Sequence, residues 1–217
     1  MKVLICDDHA VFRAGLRLVL ADLADDVELL EAPDGEAALA LADTHPELDL
    51  VLLDLSMPGV DGWDGLRRFR SHHPALPVVV VSATDDAETV RRVLDAGASG
   101  FVPKGAEGGE ILAALQLVLS GGVFVPRQAL TESPRPSGAE ERAWRRERAA
   151  GLTPRQIEVL SLMARGLTNR EICGVLAIAE GTVKAHIASI FETLDVSNRT
   201  EAAVMARELG LKAPGEE

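Results

Sequence analysis

Five short apolar segments alternate with helical patterns over residues 1–121, and this alternation restricts the fold more than any other feature of the chain. The apolar segments are residues 2–6, 27–31, 50–54, 78–81 and 100–102, and the helical patterns are residues 10–23, 35–43, 62–72, 87–96 and 108–119. Strands that are separated by single helices form a parallel sheet with helices on both faces. The sequence therefore predicts an α/β, doubly wound, five-stranded parallel sheet. In the first helix, we expect the following residues to be available for burial: Val11, Leu16, Val19, Leu20 and Leu23.

The third apolar segment, residues 50–54, lies at the centre of this pattern. Four apolar residues in a row are typical of a strand that is buried on both faces. They end in the carboxylate of Asp54, and Met57, Pro58 and Gly59 then turn the chain. Open α/β sheets bind their ligands at the carboxyl ends of the strands. Taken alone, however, Asp54 is explained as well by a turn-forming role, which most aspartates at strand ends have.

Polar side chains follow the other strands at the same edge of the sheet. Asp7 and Asp8 follow the first strand, Ser82 ends the fourth, and Lys104 follows the fifth. Three carboxylates that are brought together repel one another and require a cation, and an oxygen-rich cluster with open positions suits Mg²⁺. A hydroxyl and an ammonium group facing this cluster would bind a phosphoryl group. Each residue alone also has a structural explanation, but the set predicts phosphoryl transfer onto Asp54.

The net charge of −12 is distributed unevenly along the chain. Residues 1–121 contain 9 Lys and Arg and 21 Asp and Glu, whereas residues 151–217 contain 7 and 9. The acidic surplus therefore belongs to the first part, and it does not exclude a nucleic-acid site in the last part. No apolar run reaches the length of a membrane span, and no charged leader precedes the first strand. We therefore expect a cytoplasmic protein that does not bind a membrane.

The two cysteines, Cys6 and Cys173, lie in a strand and in a helical pattern. Neither has a partner nearby in the sequence, so we expect both to be reduced and buried. The adjacent His72 and His73 would point in different directions on a helix, which makes them a poor pair of metal ligands.

Residues 122–150 change in character. Regular structure is interrupted by Pro126, Pro134, Pro136 and Gly138, and a mixture of Glu and Arg around Trp144 follows. We interpret this stretch as a linker, either flexible or containing a short charged helix. The expected organisation is thus a domain at 1–121, a linker at 122–150 and a second domain at 151–217.

Four helices are predicted in residues 151–217, which indicates an all-α domain. Capping boxes at 153–156 and 168–171 open the first two, and Asn198 opens the last. Glycines at 166 and 210 mark helix ends. The third helix, residues 180–193, places Val183, Ile187, Ile190 and Leu194 on one apolar face. A short helix, a tight turn and this second helix form a helix-turn-helix.

The opposite face of the third helix carries small residues and few charges. It is formed by Gly181, Lys184, Ala185, Ala188 and Glu192. Small residues let a helix lie deep in a major groove, where Lys184 could reach a base edge or a phosphate and an alanine could contact a thymine methyl. A four-helix packing domain without a nucleic-acid role is the alternative. The net charge near zero slightly favours this alternative, because phosphate contacts supply most of the affinity in DNA binding.

Residues 1–121 resemble the receiver domain of bacterial two-component response regulators, a flavodoxin-like fold with strand order 2-1-3-4-5. The matching segments are ICDDH (5–9), LDLSMPGVDG (53–62), SA (82–83) and GFVPK (100–104). The resemblance implies that a sensor histidine kinase phosphorylates Asp54. It implies that Mg²⁺ is held by Asp7, Asp8, Asp54 and the backbone carbonyl of Ser56. It also implies that the phosphoryl-binding and switch positions are Ser82, Ala83, Lys104 and Phe101, the last being an aromatic residue whose rotamer follows the Ser82 hydroxyl.

Residues 151–217 resemble the LuxR-type DNA-binding domain, and the two domains together resemble the NarL/FixJ family of response regulators. The matching segments are LTPRQIEVL (152–160), GLTNREI (166–172), TVKAHI (182–187) and VSNRTEA (196–202). The resemblance implies that the helix at 180–193 reads the major groove with Lys184, Ala185 and Ala188. It also implies contacts to the DNA backbone from Thr168, Arg170, Thr182 and Arg199.

Two features depart from the resemblance. Glu192 stands in a stretch where relatives usually carry basic residues, and Ala179 replaces the usual Ser or Thr cap of the recognition helix. Fewer cations weaken non-specific affinity and flatten its salt dependence. We therefore expect weak binding by a monomer and dependence on dimerisation.

The resemblance implies a transcription regulator whose binding to double-stranded DNA is switched by phosphorylation of Asp54 through formation of a homodimer. It implies no enzymatic activity beyond the protein's own phosphorylation and dephosphorylation. A stand-alone aspartyl phosphotransferase or phosphatase is one alternative, but Ser56 stands where such enzymes need a second acidic residue. The other alternative is a receiver module whose helical tail binds a protein partner instead of DNA, which the weakly charged tail supports.

Overall fold

The computed structural model describes residues 1–24, 26–57, 62–126 and 151–209. Several sequence-based assignments lie outside these residues, namely the turn at Pro58 and Gly59, the linker from residue 127 to 150, and Gly210. The chain divides into two compact units, Met1–Leu130 and Thr131–Glu217, and each is described by itself.

The described part of the first unit contains alternating strands and helices. The strands are β1 (Lys2–Cys6), β2 (Glu28–Ala32), β3 (Leu50–Asp54), β4 (Val78–Ser82) and β5 (Gly100–Pro103). The helices are α1 (Ala10–Ala21), α2 (Gly35–Thr44), α3 (Gly62–His72), α4 (Ala87–Asp95) and α5 (Gly108–Leu119). These bounds lie within two residues of the predicted ones. Gly97 and Gly121, which follow α4 and α5, have φ values of 90° and 91°, the left-handed conformation that favours glycine at a helix end.

All neighbouring strands pair in parallel, in the order β2-β1-β3-β4-β5. The predicted doubly wound sheet with flavodoxin-like strand order is therefore confirmed. Every residue of β3 and β4 is buried, as expected for central strands with helices on both faces. The register places Asp54 beside Val81 and Ser82 beside Pro103, so the strand ends that carry polar side chains lie at one edge.

Alternate side chains of the strands form two apolar cores, one on each face of the sheet. On one face, Leu53, Val80 and Phe101 pack with residues of α2, α3 and α4. On the other face, Leu52 and Val81 pack with residues of α1 and α5. Both cores consist of residues with almost no exposed surface, which fixes the strand ends that carry the polar side chains.

Two burial predictions were wrong. Val11 is 88% exposed, while Leu16 and Leu20 of the same helix are buried. The reason is that α1 is apolar around most of its circumference, so periodicity could not select the buried face, and Phe12 packs against the core instead. Cys6 is buried as expected, but Cys173 is only half-buried; both are free thiols.

The first residues of the expected linker lie against the sheet of the first unit. Phe124 accepts a hydrogen bond from the Phe101 amide (3.1 Å) and donates one to the Ser99 carbonyl (3.2 Å). Val125 packs against the core that contains Phe101. This short segment therefore extends the edge of the sheet beside β5.

The described part of the second unit is helical, as predicted. Its helices are α6 (Pro154–Ala164), α7 (Asn169–Leu176), α8 (Glu180–Leu194) and α9 (Arg199–Glu208). Both predicted capping boxes are present, Thr153 with Gln156 and Thr168 with Glu171. Asn198 caps α9 by accepting the Glu201 amide at 3.0 Å. The predicted apolar face of α8 is buried in the core of this unit.

The helices α7 and α8 are bent by 109° relative to one another, which is the geometry of a helix-turn-helix. The turn is made at Ala177, whose φ of 51° and ψ of 45° end α7 in a left-handed conformation. Within the residues described, no individual helix has the length and apolar composition of a membrane span. The bent pair of α7 and α8 has this length and composition when its two helices are counted together.

Candidate functional site

The carboxyl edge of the sheet brings three charged residues from different strands together. Asp54 ends β3, Asp7 follows β1, and Lys104 follows β5. Lys104 Nζ lies 2.7 Å from Asp54 Oδ2 and 2.8 Å from Asp7 Oδ2. Both carboxylates are buried, with 1% and 2% of Asp54 and Asp7 exposed. Burying two carboxylates is costly unless a cation faces them, so Lys104 is the group that makes this arrangement tenable.

Backbone amides orient the carboxylates. Asp54 Oδ1 accepts a hydrogen bond from the amide of Ser56 (2.9 Å), and Asp7 Oδ1 accepts one from the amide of His9 (2.6 Å). Arg13 Nη1 donates to the backbone carbonyl of Asp7 at 2.6 Å. The strand-end turns therefore fix one oxygen of each carboxylate, and the other oxygen points toward Lys104.

The Lys104 ammonium remains charged in this pocket. Burial alone would lower its pKa, but the short contacts with the carboxylates of Asp54 and Asp7 and their negative charges outweigh burial and raise the pKa above its ordinary value. The Lys104 amide also donates to the Ser82 carbonyl at 2.8 Å, which joins the loop after β5 to the end of β4. A permanent positive charge is thus held at the edge where the strand ends meet.

The side chain of His9 is a member of this pocket that the sequence reasoning missed. Its Nδ1 lies 2.8 Å from Asp8 Oδ1, 3.3 Å from Asp7 Oδ1 and 3.8 Å from Asp54 Oδ2. Lys104 Nζ is 3.2 Å from the same nitrogen. The only available signal was the position of His9 directly after the two aspartates, and a loop position does not reveal the direction of a side chain.

The pocket has the composition and compactness of a metal site. Potential ligand atoms of Asp7, Asp8, His9 and Asp54 all lie within 4.8 Å of one another. Asp7 Oδ2 is buried and accepts no hydrogen bond, because its 2.8 Å contact with Lys104 is an ion pair without hydrogen-bond geometry. A buried carboxylate oxygen that lacks a donor is suited to bind a cation. The residues therefore fit Mg²⁺, with Asp7, Asp8 and Asp54 as its oxygen ligands.

The remaining predicted residues of the pocket differ in exposure. Ser82 is buried at the end of β4, and its Oγ accepts a hydrogen bond from the Thr84 amide at 3.2 Å. Ala83 and Ser56 are exposed. Phe101 is fully buried in the apolar core on β5, and β4 lies between its strand and that of Asp54. Ser82 and Ala83 thus lie where the chain leaves β4, and Phe101 lies in the apolar core on one face of the sheet.

The residues predicted to contact DNA lie in the second unit, on α7 and its cap, on α8 and, in the case of Arg199, at the beginning of α9. Thr182 and Ala185 are exposed, and Ala188 is half-buried on the same outer face. Thr168 caps α7, and Arg170 is exposed in its first turn. These positions form the outer side of the helix-turn-helix, opposite to the apolar face of α8.

Lys184 is engaged within its own helix. Its Nζ lies 3.0 Å from Glu180 Oε1, and only 15% of its side chain is exposed. Ala179 is the capping residue before α8, and its side chain makes no capping hydrogen bond. The outer face of α8 therefore offers little positive charge, as the sequence had indicated.

Arg199 uses its guanidinium group inside the unit. Nη1 donates to Asn169 Oδ1 at 3.0 Å, and Nη2 donates to the backbone carbonyl of Leu167. Burial lowers its pKa to about 10, although the charge of Glu171 acts in the opposite direction. Arg199, one of the residues expected at the DNA backbone, is thus held by contacts inside the unit.

Comparison with known proteins supports this two-part organisation. The family model of the response regulator receiver domain matches residues 3–116, and that of the bacterial regulatory proteins of the luxR family matches residues 150–206. The chain is 37% identical over 215 residues to the glycerol metabolism activator of Pseudomonas putida, with 98% of this chain and 97% of that protein covered. It is 35% identical over 202 residues to the nitrate/nitrite response regulator protein NarL of Escherichia coli strain K12, with 93% of each covered.

Among solved structures, a complex of the two-component response regulator RcsB with DNA is similar, with a TM-score of 0.51 and 26% identity over 96% of this chain and 98% of that one. The matched relatives are regulatory proteins, so the chain is not a classical enzyme. The chain therefore belongs to the NarL/FixJ family of two-component response regulators, which join a receiver domain to a LuxR-type DNA-binding domain.

Proposed function

We propose that a sensor histidine kinase phosphorylates Asp54 with Mg²⁺, and that this modification switches DNA binding and transcription through homodimerisation. The observation that carries the proposal is the shared Lys104 ammonium, 2.7 Å from Asp54 and 2.8 Å from Asp7. A carboxylate held beside a cation and a second carboxylate is arranged to accept a phosphoryl group and to retain it. The proposed domains are 1–121 and 151–217, joined by the linker at 122–150.

In the proposed reaction, an oxygen of Asp54 forms a bond to phosphorus as the phosphorus–nitrogen bond of a phosphohistidine breaks. The imidazole nitrogen leaves with the bonding electrons. Lys104 faces the acceptor and offsets the negative charge of the transferred group, while Ser82 offers a hydroxyl at the end of β4. Mg²⁺, when bound by Asp7, Asp8, Asp54 and the Ser56 carbonyl, supplies further positive charge at the phosphoryl oxygens.

Phosphorylation adds charge at one edge of a packed sheet, which biases a surface that has two arrangements. We propose that Ser82, Ala83 and Phe101 carry this change. In the second unit, we propose that Lys184, Ala185 and Ala188 face the bases and that Thr168, Arg170 and Thr182 lie at the DNA backbone. The similarity to RcsB, a protein solved in complex with DNA, supports DNA as the target.

The test is a selection of DNA from a random-sequence library with the wild-type protein and Asp54→Ala, each with and without acetyl phosphate and Mg²⁺. Asp64→Ala removes an exposed carboxylate from α3 and serves as the matched control. We expect the phospho-donor to enrich a site with the wild-type protein and Asp64→Ala, but not with Asp54→Ala. An equal response of all three proteins would show that Asp54 is not the switch.

Two other outcomes would favour the alternative functions. If no DNA sequence is enriched under any condition, the helical unit binds another kind of partner. If the protein hydrolyses more than one equivalent of a generic phosphate ester per chain, it is a phosphatase or phosphotransferase.

A further inference from the structure

Arg199 is the first residue of α9, and its side chain reaches across to the beginning of α7. Nη1 donates to the side chain of Asn169 (3.0 Å) and Nη2 to the carbonyl of Leu167. These two acceptors flank Thr168, the capping residue of α7. The fork of one guanidinium group therefore spans the residue at which α7 begins.

Within the described residues, the beginning of α7 is also held by its own capping box and by the Leu167 amide, which donates to the Leu162 carbonyl of α6 at 3.2 Å. Thr168 and Glu171 bond to each other, with the Thr168 amide 2.7 Å from Glu171 Oε2 and the Glu171 amide 3.2 Å from Thr168 Oγ1. These bonds order the first turn, but they do not determine where the turn lies relative to the other helices. The bonds of Arg199 add a side-chain connection, because they join the beginning of α7 to α9.

The surroundings of Arg199 are those of a structural cation rather than of a surface phosphate ligand. The residue is partly buried, and its Nε is buried without a hydrogen-bond partner. Two of its donors already point at protein oxygens within the unit. An arginine that binds a DNA phosphate, by contrast, should present its guanidinium group to solvent in the DNA-free protein.

We propose that Arg199 is a positioning residue, which holds the segment Leu167–Asn169 in place so that Thr168 and Arg170 reach the DNA backbone. The inference rests on the proposed DNA-binding function of this unit. It differs from the contact expected from the family resemblance, because Arg199 acts through α7 and does not itself bind a phosphate.

The comparison of lysine and alanine at this position separates the two roles. Lysine retains a positive charge and can bind a phosphate, but it cannot donate to two fixed acceptors in a planar fork. A phosphate contact would therefore survive in Arg199→Lys and disappear in Arg199→Ala, with a decrease of about one in the slope of log affinity against log salt. A positioning role predicts that both variants lose affinity to the same extent.

The experiment measures binding of the full-length variants to the duplex that the phospho-donor-treated wild-type protein selects, over a series of salt concentrations. We expect Arg199→Lys and Arg199→Ala each to bind about tenfold more weakly, which corresponds to the loss of one charge-assisted hydrogen-bonded group. We expect Arg199→Lys to retain the wild-type salt slope. Arg207→Lys, at an exposed arginine of the same helix, is the matched control and should bind like the wild type. Lys184→Ala shows how much affinity is lost when a side chain that is proposed to contact DNA directly is removed.

A second measurement needs no DNA. Amide hydrogen exchange of the free, full-length protein should be faster at residues 167–172 in Arg199→Lys and in Asn169→Ala, with residues 183–190 unchanged. Wild-type affinity in Arg199→Lys, or unchanged exchange at residues 167–172, would overturn the proposal. If the wild-type protein selects no DNA, the proposed function of this unit fails, whereas the exchange measurement still decides whether Arg199 holds α7.

Discussion

Lys2 forms a charge cluster at the end of the sheet opposite to the candidate pocket. Its Nζ lies 2.6 Å from Glu47 Oε1 and 3.0 Å from Glu28 Oε1, and its amide donates to Asp49 at 2.8 Å. Hydrogen bonds from Lys2, from its own backbone amide and from His45 lower the pKa of Glu47 to about 2. The cluster joins β1 to β2 and to the loop before β3, so its charges contribute to stability rather than to the pocket.

The lowered pKa of Glu47 leads to a prediction about acid stability. A carboxyl group whose pKa is depressed in the folded protein stabilises it above the unfolded pKa and loses this effect as pH falls through the folded pKa. For Glu47 these values are 4.5 and about 2. We therefore expect Tm to be lower in Glu47→Gln than in the wild type near neutral pH, with the difference disappearing between pH 4.5 and about 2.

The Tm difference between Glu47→Gln and the wild type should be small and should decrease with salt, because Glu47 is exposed to solvent. Thermal unfolding monitored by circular dichroism at several pH values measures it. Glu36→Gln, at a carboxylate 4.0 Å from Arg68 on the surface, provides the control. A Tm difference between Glu47→Gln and the wild type that stays constant over the whole pH range would contradict the assignment.

At the scale of single residues, the sequence could predict side chains whose position follows from the sheet. Asp54 and Ser82 end their strands and Lys104 follows its strand at one edge of the sheet, so parallel topology alone brings them together. His9 and Arg199 could not be predicted in this way. The direction of His9 depends on the turn after β1, and the contacts of Arg199 depend on how α9 packs against the turn before α7.

The contact between α3 and the end of β3 depends on a glycine. A Cβ atom at Gly62 would lie 2.4 Å from the Cα and 2.6 Å from the carbonyl oxygen of Leu55. Because these are backbone atoms, no change of rotamer can relieve the overlap. Leu55 directly follows Asp54, so the beginning of α3 rests on the chain that leaves the pocket.

We expect Gly62→Ala to destabilise the protein by about 1–3 kcal/mol, the range for overpacking a tightly packed site. Gly15→Ala is the matched control, because a Cβ atom there meets nothing within 4 Å and the residue lies inside α1. Alanine in an exposed helix interior should stabilise by about 0.5–1 kcal/mol. Denaturant unfolding measures both variants, and equal changes in the two free energies of unfolding would refute the packing argument.

Helix and strand bounds were predictable because their ends carry local chemistry. These signals act within a few residues, so they can be recognised from the sequence without knowledge of the tertiary structure. They are the capping boxes at Thr153 and Thr168 and the glycines at 97, 121 and 166. The buried face of α1 was less predictable. Residues 10–21 contain only two charged side chains, both arginines, and the choice between Val11 and Phe12 is made by the helix's packing on the sheet.

At the scale of the whole molecule, the charge opposes binding to DNA. The chain carries −12, and residues 151–217 contain more acidic than basic residues. Within α8, Lys184 is paired with Glu180, and Glu192 is exposed on the outer face four residues beyond Ala188. Because counterion release supplies much of the affinity for DNA, one helix-turn-helix of this composition should bind weakly. Two linked copies on adjacent half-sites would compensate for this weakness.

This argument predicts the effect of reversing one charge on α8. Glu192→Lys removes a repulsive charge from the outer face and adds a cation that can neutralise a phosphate. We expect tighter binding of the full-length protein to its selected duplex, with the slope of log affinity against log salt steeper by about one. Glu208→Lys makes the same change of charge on α9, outside the helix-turn-helix. If both variants steepen the slope equally, the effect comes from net charge alone, and the outer face of α8 is not where the phosphates lie.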